Sequence, residues 1–240
     1  MRNYLSFGGG VNSVALHLFM LDQGIEFESV FVNHGTDWPE TYQYVAGFQW
    51  WLKANGYPPI TILRPLVQNH TTLIGYYEWK RKVPSIMRRD CTDKFKIRTL
   101  QRYQKAPCFV HLGIDAGEAK RARISTRNGM ENRYLLIEHD IDREGCVKII
   151  KDHGLPIPMK SGCYICPFQK RSQWIDLRKK HPCLFQRADN LEAANIEDRI
   201  ANGKSGFTLL NSGKTLPATV DEKQRKLWQE DEYPPCNCFL

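Results

Sequence analysis

The sequence predicts an α/β fold in which a parallel sheet carries helices on both faces. Three short apolar segments, Arg2–Phe7, Phe27–Val32 and Ile60–Leu63, alternate with helical patterns at Val14–Leu21 and from Pro39 to about Ala54. Nearly continuous apolar strands are typical of a buried parallel sheet. The order strand, helix, strand, helix, strand implies right-handed crossovers between parallel strands.

Further elements follow in the second half of the chain. The patterns predict a helix from Lys94 to about Tyr103, a strand at Phe109–Gly113, and helices at Asp142–His153, Arg171–Lys180 and Arg187–Ala201. Residues 66–93 are basic and aromatic, and we expect them to form an irregular surface lid.

Charge and hydropathy narrow the class of protein. The formal net charge is +8, with basic clusters at residues 80–89 and 170–180. This charge favours anionic partners such as nucleotides or nucleic acid, although it would equally serve ordinary solubility. No apolar run approaches the roughly 18 residues of a membrane span, and the N-terminal residues have no signal-peptide pattern. We therefore expect a cytoplasmic protein with no membrane partner.

A glycine-rich loop lies between the first strand and its helix. Gly8, Gly9 and Gly10 allow the backbone to approach a phosphate closely, and the following helix N-terminus presents free N–H groups. Ser13 can add a hydroxyl donor. The spacing fits neither the dinucleotide fingerprint nor the Walker A loop. The loop therefore indicates a phosphate site, with a ligand-free tight turn as the alternative.

Eight cysteines indicate chemistry other than disulfide bonding, which is rare in the cytoplasm. Cys163 and Cys166 are separated by two residues, a spacing found in metal, cluster and redox sites. Cys108 in a strand and Cys146 in a helix are expected to be core residues.

Five blocks of the sequence resemble motifs of the phosphoadenosine-phosphosulfate (PAPS) reductase family of PP-loop proteins. Gly9–Ser13 resembles the PP-loop S-G-G-x-D-S, Asn33–Thr41 the block D-T-G-x-x-x-P-E-T, Arg88–Ile97 a cysteine-lysine block, Gly113–Arg121 the block G-x-x-x-x-E-x-x-R, and Ser161–Phe168 the block C-x-x-C-P-F. The blocks cover roughly residues 4–190. Asn12, Asn33 and Asp90 depart from the family pattern, and Val11 stands where many members have lysine.

The resemblance implies a site for ATP or a related adenine nucleotide. The implied ligands of the nucleotide are Ser6, Gly8, Gly9, Gly10, Asn12, Ser13, Asn33, Gly35, Thr36, Glu118 and Arg121. The replacement of an acid by Asn12 puts an accompanying Mg²⁺ ion and pyrophosphate release in question. Glu118 and Arg121 also fit a simple surface ion pair.

The resemblance also implies a 4Fe-4S cluster on Cys91, Cys163 and Cys166. Such a cluster takes four ligands, and the fourth could be Cys183, Asp90, a C-terminal cysteine or none. A closed zinc site is the alternative. The basic neighbours Arg88, Arg89 and Lys94 are expected to favour the thiolate form of Cys91.

The sequence is consistent with three functions. The first is ATP-dependent adenylation and sulfur transfer to an acceptor, which could be nucleic acid, with a sulfur donor protein. The second is a sulfonucleotide reductase that releases sulfite through Cys236 or Cys238, with an electron donor protein. Lys94 is a catalytic candidate in either enzyme. The third is a nucleotide-binding protein without catalysis.

The predicted organisation has two parts. Residues 1–155 would form a Rossmann-like PP-loop nucleotide-binding domain, and residues 156–240 a small, helical, cysteine-containing region packed on it. The sequence does not define the oligomeric state, and a homodimer is one option.

Overall fold

A five-stranded parallel sheet with the order β3-β2-β1-β4-β5 forms the centre of the protein. The computed structural model describes residues 1–125, 127–210 and 213–221. Its strands are β1 (Arg2–Phe7), β2 (Glu28–Val32), β3 (Thr61–Leu63), β4 (Cys108–Leu112) and β5 (Met130–Arg133). The strand order reverses at β1, which places a crevice at the carboxyl ends of β1 and β4. The predicted α/β fold is confirmed.

The described residues also form ten α-helices. They are α1 (Val11–Asp22), α2 (Pro39–Ala54), α3 (Leu73–Lys80), α4 (Asp90–Thr92), α5 (Arg98–Tyr103), α6 (Leu135–Glu138), α7 (Arg143–Asp152), α8 (Arg171–Lys180), α9 (Pro182–Ala201) and α10 (Leu216–Asp221). A π-helical segment, Asp93–Ile97, joins α4 to α5. None of the helices in the described ranges combines the length and the apolar character that a membrane crossing requires.

Two apolar layers enclose the sheet. One layer joins β1 to α1, α2 and α7 through residues such as Leu5, Phe48 and Ile150. The other packs Leu100 of α5 against Tyr4 and Val110 on the opposite face. Helices therefore cover both faces, as predicted from the continuous apolar strands.

A third core lies beside the sheet and is built around the fully buried Trp174 of α8. It joins α8, α9 and α10 to α3, to Phe95 and to the segment Cys163–Ile165. The helical C-terminal part therefore packs on the segment that follows β3. The domain boundary expected near residue 155 stays a prediction.

Elements such as α3, β5 and α9 differ from the sequence prediction. Residues 66–93 are not wholly irregular, because α3 forms with Thr72 as its cap and buries Leu73 and Tyr77. The strand β5 was missed because only Met130 of its four residues is buried, so it has no apolar pattern. Helix α9 begins at Pro182 instead of Arg187, since proline is favoured in a first helical turn.

A buried carboxylate holds the chain after α9 against that helix. Glu192 is 1% exposed and accepts hydrogen bonds from the backbone N–H groups of Leu209 at 2.7 Å and Leu216 at 2.5 Å. Burial raises the pKa of this carboxyl. The two N–H donors therefore offset part of the cost of burying Glu192.

We predict that Glu192→Ala lowers the free energy of unfolding by at least about 2 kcal/mol, because each stranded buried N–H group costs about 1–3 kcal/mol. Urea denaturation measures the change. Glu197→Ala on the same helix is the matched control: Glu197 is exposed and pairs with Arg81 at the surface, so its loss should change stability by less than about 0.5 kcal/mol. Equal effects of the two substitutions would contradict the structural role of Glu192.

Candidate functional site

The glycine loop connects β1 to α1 at the point where the strand order reverses. Gly9 has a left-handed backbone, with φ of +70°, and Gly10 is the extended residue that precedes the first turn of α1. The first N–H groups of a helix have no partner within the helix and favour a bound anion. The Ser13 hydroxyl donates to the Gly10 carbonyl at 2.9 Å, so its first role is to brace the loop.

Three glycines allow neighbouring segments to approach this loop. A Cβ atom at Gly9 would lie 3.0 Å from the Val45 side chain, so this glycine faces α2. A Cβ at Gly10 would lie 2.7 Å from the Ser161 hydroxyl, and one at Gly113 would lie 2.9 Å from the Ser13 nitrogen. The glycine loop is therefore in contact with the segment before Cys163 and with the end of β4.

Asn12 connects the loop to an acid and a cation that sequence reasoning missed. Its amide donates to Asp115 at 2.9 Å, and its carbonyl oxygen accepts from Arg143 at 2.8 Å. Asp115 is 4% exposed and follows β4, while Arg143 is the exposed first residue of α7. Asp115 could have been found from its place after a strand that reaches the crevice; no local signal marks Arg143.

The remaining predicted nucleotide ligands divide into two groups. Ser6 is buried between β2 and β4, and the Thr36 hydroxyl accepts from the Ile74 N–H at 3.1 Å, so both make structural contacts. Asn33 and Gly35 lie at the end of β2, where the Asn33 side chain accepts from the Gly35 N–H at 3.0 Å. Gly35, with φ of +69°, supplies the left-handed turn.

Glu118 and Arg121 lie on a short 3-10 helix, Ala116–Arg121, after β4. Their side chains form an ion pair and are largely buried. The Glu118 N–H donates to Asp115 at 3.1 Å, which connects this turn to Asn12. A contact of the pair with the nucleotide stays a prediction.

Three predicted cysteines line one cavity with about 540 Å³ of empty space, its open mouth included. They are Cys91, Cys163 and Cys166, and the cations Arg89 and Lys96 line it with them. The fourth candidate, Cys183, is exposed at the start of α9 and is not among the described residues that line the cavity.

Backbone pairing brings Cys163 to the edge of the sheet. Asp37 and Cys163 form an antiparallel bridge, the Trp38 N–H donates to the Gly162 carbonyl at 3.0 Å, and the Tyr164 N–H donates to the Thr36 carbonyl at 3.0 Å. The loop after β2 and the cysteine segment therefore form one unit beside the glycine loop.

His34 and Asp37 converge on Cys163, which sequence reasoning did not foresee. The Cys163 sulfur lies 3.7 Å from Nε2 of His34 and 3.8 Å from Oδ1 of Asp37, and that Nε2 lies 3.3 Å from Oδ2 of Asp37. Within the described ranges, these residues form a group whose ligand atoms could hold one metal ion. His34 and Asp37 lie in the block Asn33–Thr41, and this position was the sequence signal that could have identified them.

Burial and charge shift the pKa values of this group in opposite directions. Burial alone would raise the pKa of Asp37, but the charges of His34 and Lys96 lower it to about 2. Burial and the Asp37 carboxylate raise the pKa of the Cys163 thiol well above its usual value. The group therefore contains a carboxylate and a neutral thiol.

The expectation that basic neighbours favour the Cys91 thiolate is wrong for the metal-free protein. Burial is the main cause that raises the pKa of Cys91, and the Asp90 carboxylate adds to it. Lys94, the catalytic candidate, does not offset this, since it donates to Asp90 at 3.0 Å and to the Tyr76 hydroxyl at 3.1 Å. Lys96 lines the cavity in its place.

Asp90 is held by two partners. Besides the bond from Lys94, it accepts from the Tyr77 hydroxyl at 2.9 Å, so each of its carboxylate oxygens has a partner. Cys108 and Cys146 are buried core residues, as predicted. The candidate nucleophiles Cys236 and Cys238 lie outside the described residues.

No protein-family model and no curated protein matches the sequence. Among solved structures, the fold is similar to PAPS reductase from Candida auris in a phosphate complex, at 16% identity over 66% of this chain and 75% of that chain, with a TM-score of 0.49. It is also similar to a U34-tRNA thiolase from Methanococcus maripaludis with its 4Fe-4S cluster, at 12% identity over 86% of this chain and 74% of that chain, with a TM-score of 0.42.

We predict that Gly113→Ala destabilises the protein by about 1–3 kcal/mol, the usual range for overpacking. The new methyl group would meet backbone atoms of Asn12 and Ser13 at 2.9–3.0 Å, which cannot rotate away as a side chain could. Gly47→Ala is the control, because nothing lies within 4 Å of its Cβ position in α2, and alanine should stabilise this exposed helix position by about 0.5–1 kcal/mol. Urea denaturation of both variants tests the contact, and a neutral Gly113→Ala would refute it.

Proposed function

We propose that the protein is an adenine-nucleotide-dependent enzyme that transfers sulfur to an acceptor. The observation that carries the proposal is the contact between the glycine loop and the cysteine segment, where Gly10 leaves room for the Ser161 hydroxyl. A phosphate at the N-terminus of α1 would then lie beside the cavity that contains three thiols. The site that activates the acceptor and the site that holds the sulfur would then be adjacent.

Phosphate binding would rest on the loop and on Arg143. The backbone N–H groups of Val11, Asn12 and Ser13, in the first turn of α1, have no partner within the helix. Val11 supplies no charge, but Arg143 is held 2.8 Å from the Asn12 side chain and has further N–H donors available for a phosphate oxygen. Arg143 would thereby replace the lysine of the PP-loop pattern. Asp115, which shares the contact with Asn12, could bind a Mg²⁺ ion that accompanies the nucleotide.

The proposed chemistry has two displacement steps. A carbonyl oxygen of the acceptor attacks the α-phosphate of ATP, and pyrophosphate leaves from the helix N-terminus. Sulfide held in the cavity then attacks the activated carbon, and AMP leaves with the former carbonyl oxygen. Arg89 and Lys96, which line the cavity, favour an anionic sulfur species there.

A metal centre in the cavity is part of the proposal. The 4Fe-4S cluster implied by the resemblance would be held by Cys91, Cys163 and Cys166, which line one cavity beside two cations, and would supply iron that can bind sulfide. Zinc is the second candidate, favoured by the convergence of His34 and Asp37 on Cys163. In either case a bound cation would lower the pKa of the thiols that bind it, because coordination favours their deprotonated form.

The acceptor stays open between nucleic acid and a smaller molecule. Basic side chains near the cavity include Arg88 and Arg89, and such clusters favour phosphate backbones. The reductase alternative needs Cys236 or Cys238 as nucleophile. A non-catalytic nucleotide-binding protein would bind ATP without turnover.

We predict that Arg143→Gln weakens ATP binding about tenfold or more, since a charge-assisted hydrogen bond contributes about 1.5–3 kcal/mol. Binding of adenosine, which has no phosphate, should not change. Isothermal titration calorimetry measures both ligands. Arg102→Gln, at an exposed position of α5 on the opposite face of the sheet, is the charge-matched control. ATP binding that survives Arg143→Gln unchanged would exclude Arg143 from the phosphate site.

Product analysis tests the reaction itself. Wild-type protein with ATP, a sulfide source and candidate acceptors should release pyrophosphate and AMP in equal amounts. Sulfite release from a sulfated adenylate, with thiol as reductant, would replace this proposal with the reductase. Nucleotide binding with neither product would favour the non-catalytic alternative.

A further inference from the structure

We infer that His34, Asp37 and Cys163 form the binding site of a single zinc ion. The inference deepens the proposed function and rests on its assignment of a metal centre to the cysteine cavity. The zinc site and the proposed iron-sulfur cluster have different ligands, and they share only Cys163.

The spacing of the three side chains matches one tetrahedral ion. Zinc binds sulfur at about 2.3 Å and nitrogen or oxygen at about 2.0–2.2 Å, so tetrahedral ligand atoms lie roughly 3.3–3.7 Å apart. The separations are 3.3 Å from His34 Nε2 to Asp37 Oδ2, 3.7 Å from that nitrogen to Cys163 Sγ, and 3.8 Å from the sulfur to Asp37 Oδ1. With one ligand atom from each residue, all three atoms lie within 4.8 Å of one another. Because His34 and Cys163 contact different carboxylate oxygens of Asp37, a small rotation of the Asp37 side chain would bring one oxygen to a shared ion.

Charge and burial also fit a divalent cation. His34, Asp37 and Cys163 are 0%, 5% and 8% exposed. A neutral imidazole, a carboxylate and a thiolate together carry a charge of −2, which Zn²⁺ neutralises. Thiolate with imidazole is also a donor set that zinc favours.

The backbone holds the ligands in place before any ion arrives. Asp37 and Cys163 are bridge partners, and the Leu73 N–H donates to the His34 carbonyl at 2.9 Å. Ligands on paired backbone segments lose little conformational freedom when they bind, which raises metal affinity.

The fourth position would face the cavity, since His34 and Cys163 both line it. Three protein ligands with one open position are typical of catalytic zinc, whereas structural zinc is closed by four. The open position would accept water or an incoming sulfur anion beside the glycine loop. The same cavity would then bring a zinc-bound nucleophile to the activated acceptor.

X-ray absorption of the zinc-loaded wild-type protein tests the ligand set without substitutions. We expect one zinc per chain, one sulfur at about 2.3 Å and nitrogen or oxygen ligands at about 2.0–2.1 Å. Two or more sulfur ligands would overturn the inference in favour of a thiolate site with Cys91 or Cys166.

Single substitutions give an independent test. His34→Ala, Asp37→Asn and Cys163→Ser should each weaken zinc binding by more than about 100-fold, beyond the 10–100-fold typical of residues that only support a ligand. Cys91→Ser and Cys183→Ser should leave it unchanged. Thermal unfolding and ATP titration of every variant separate loss of the ion from loss of the fold.

The outcomes also distinguish this inference from the proposed function. An anaerobically prepared iron-sulfur cluster that needs Cys91, Cys163 and Cys166 but not His34 would overturn the inference and leave sulfur transfer standing. A protein that takes up neither zinc nor iron would overturn both metal assignments. Zinc at the inferred ligands without ATP binding would support the inference and refute the proposed nucleotide dependence.

Discussion

The candidate site depends on one piece of backbone pairing, between residues 36–38 and residues 162–164. Two backbone hydrogen bonds of 3.0 Å, which together form the bridge of Asp37 with Cys163, fix the cysteine segment to the loop after β2. The Trp38 indole adds a bond to the Gln169 side chain at 2.9 Å. Because this loop leaves the sheet at its carboxyl edge, the pairing brings thiols from a distant segment to the crevice.

The glycine loop acquires charged neighbours from other segments of the chain. Asn12 has no charge, yet it contacts an acid from the end of β4 and a cation from the start of α7. The amide can serve both because it has one donor side and one acceptor side. An aspartate at this position would repel Asp115, so the asparagine and Asp115 are mutually compatible.

Buried ionisable groups are stabilised in two different ways in this fold. Glu192 receives two backbone N–H donors, which is sufficient for a structural carboxylate. Asp37 has instead a histidine and a thiol for neighbours at 3.3–3.8 Å, side chains of a kind that bind metal ions. The first arrangement joins two segments of chain, and the second is suited to holding a cation.

The sequence by itself determined the α/β class, the glycine loop and the paired cysteines, because each is encoded in short-range periodicity or spacing. The sheet order and the missed elements needed the tertiary structure: β5 has almost no apolar pattern, and α3 is stabilised by contacts with distant helices. The sequence singled out Lys94, but Lys96 is the lysine that lines the cavity. Both lie in the π-helical segment Asp93–Ile97, whose side-chain spacing differs from that of the α-helix expected there. His34 meets Cys163 across 129 residues, and Arg143 meets Asn12 across 131. Contacts at such separations arise only when the chain folds, so no local pattern could have identified them.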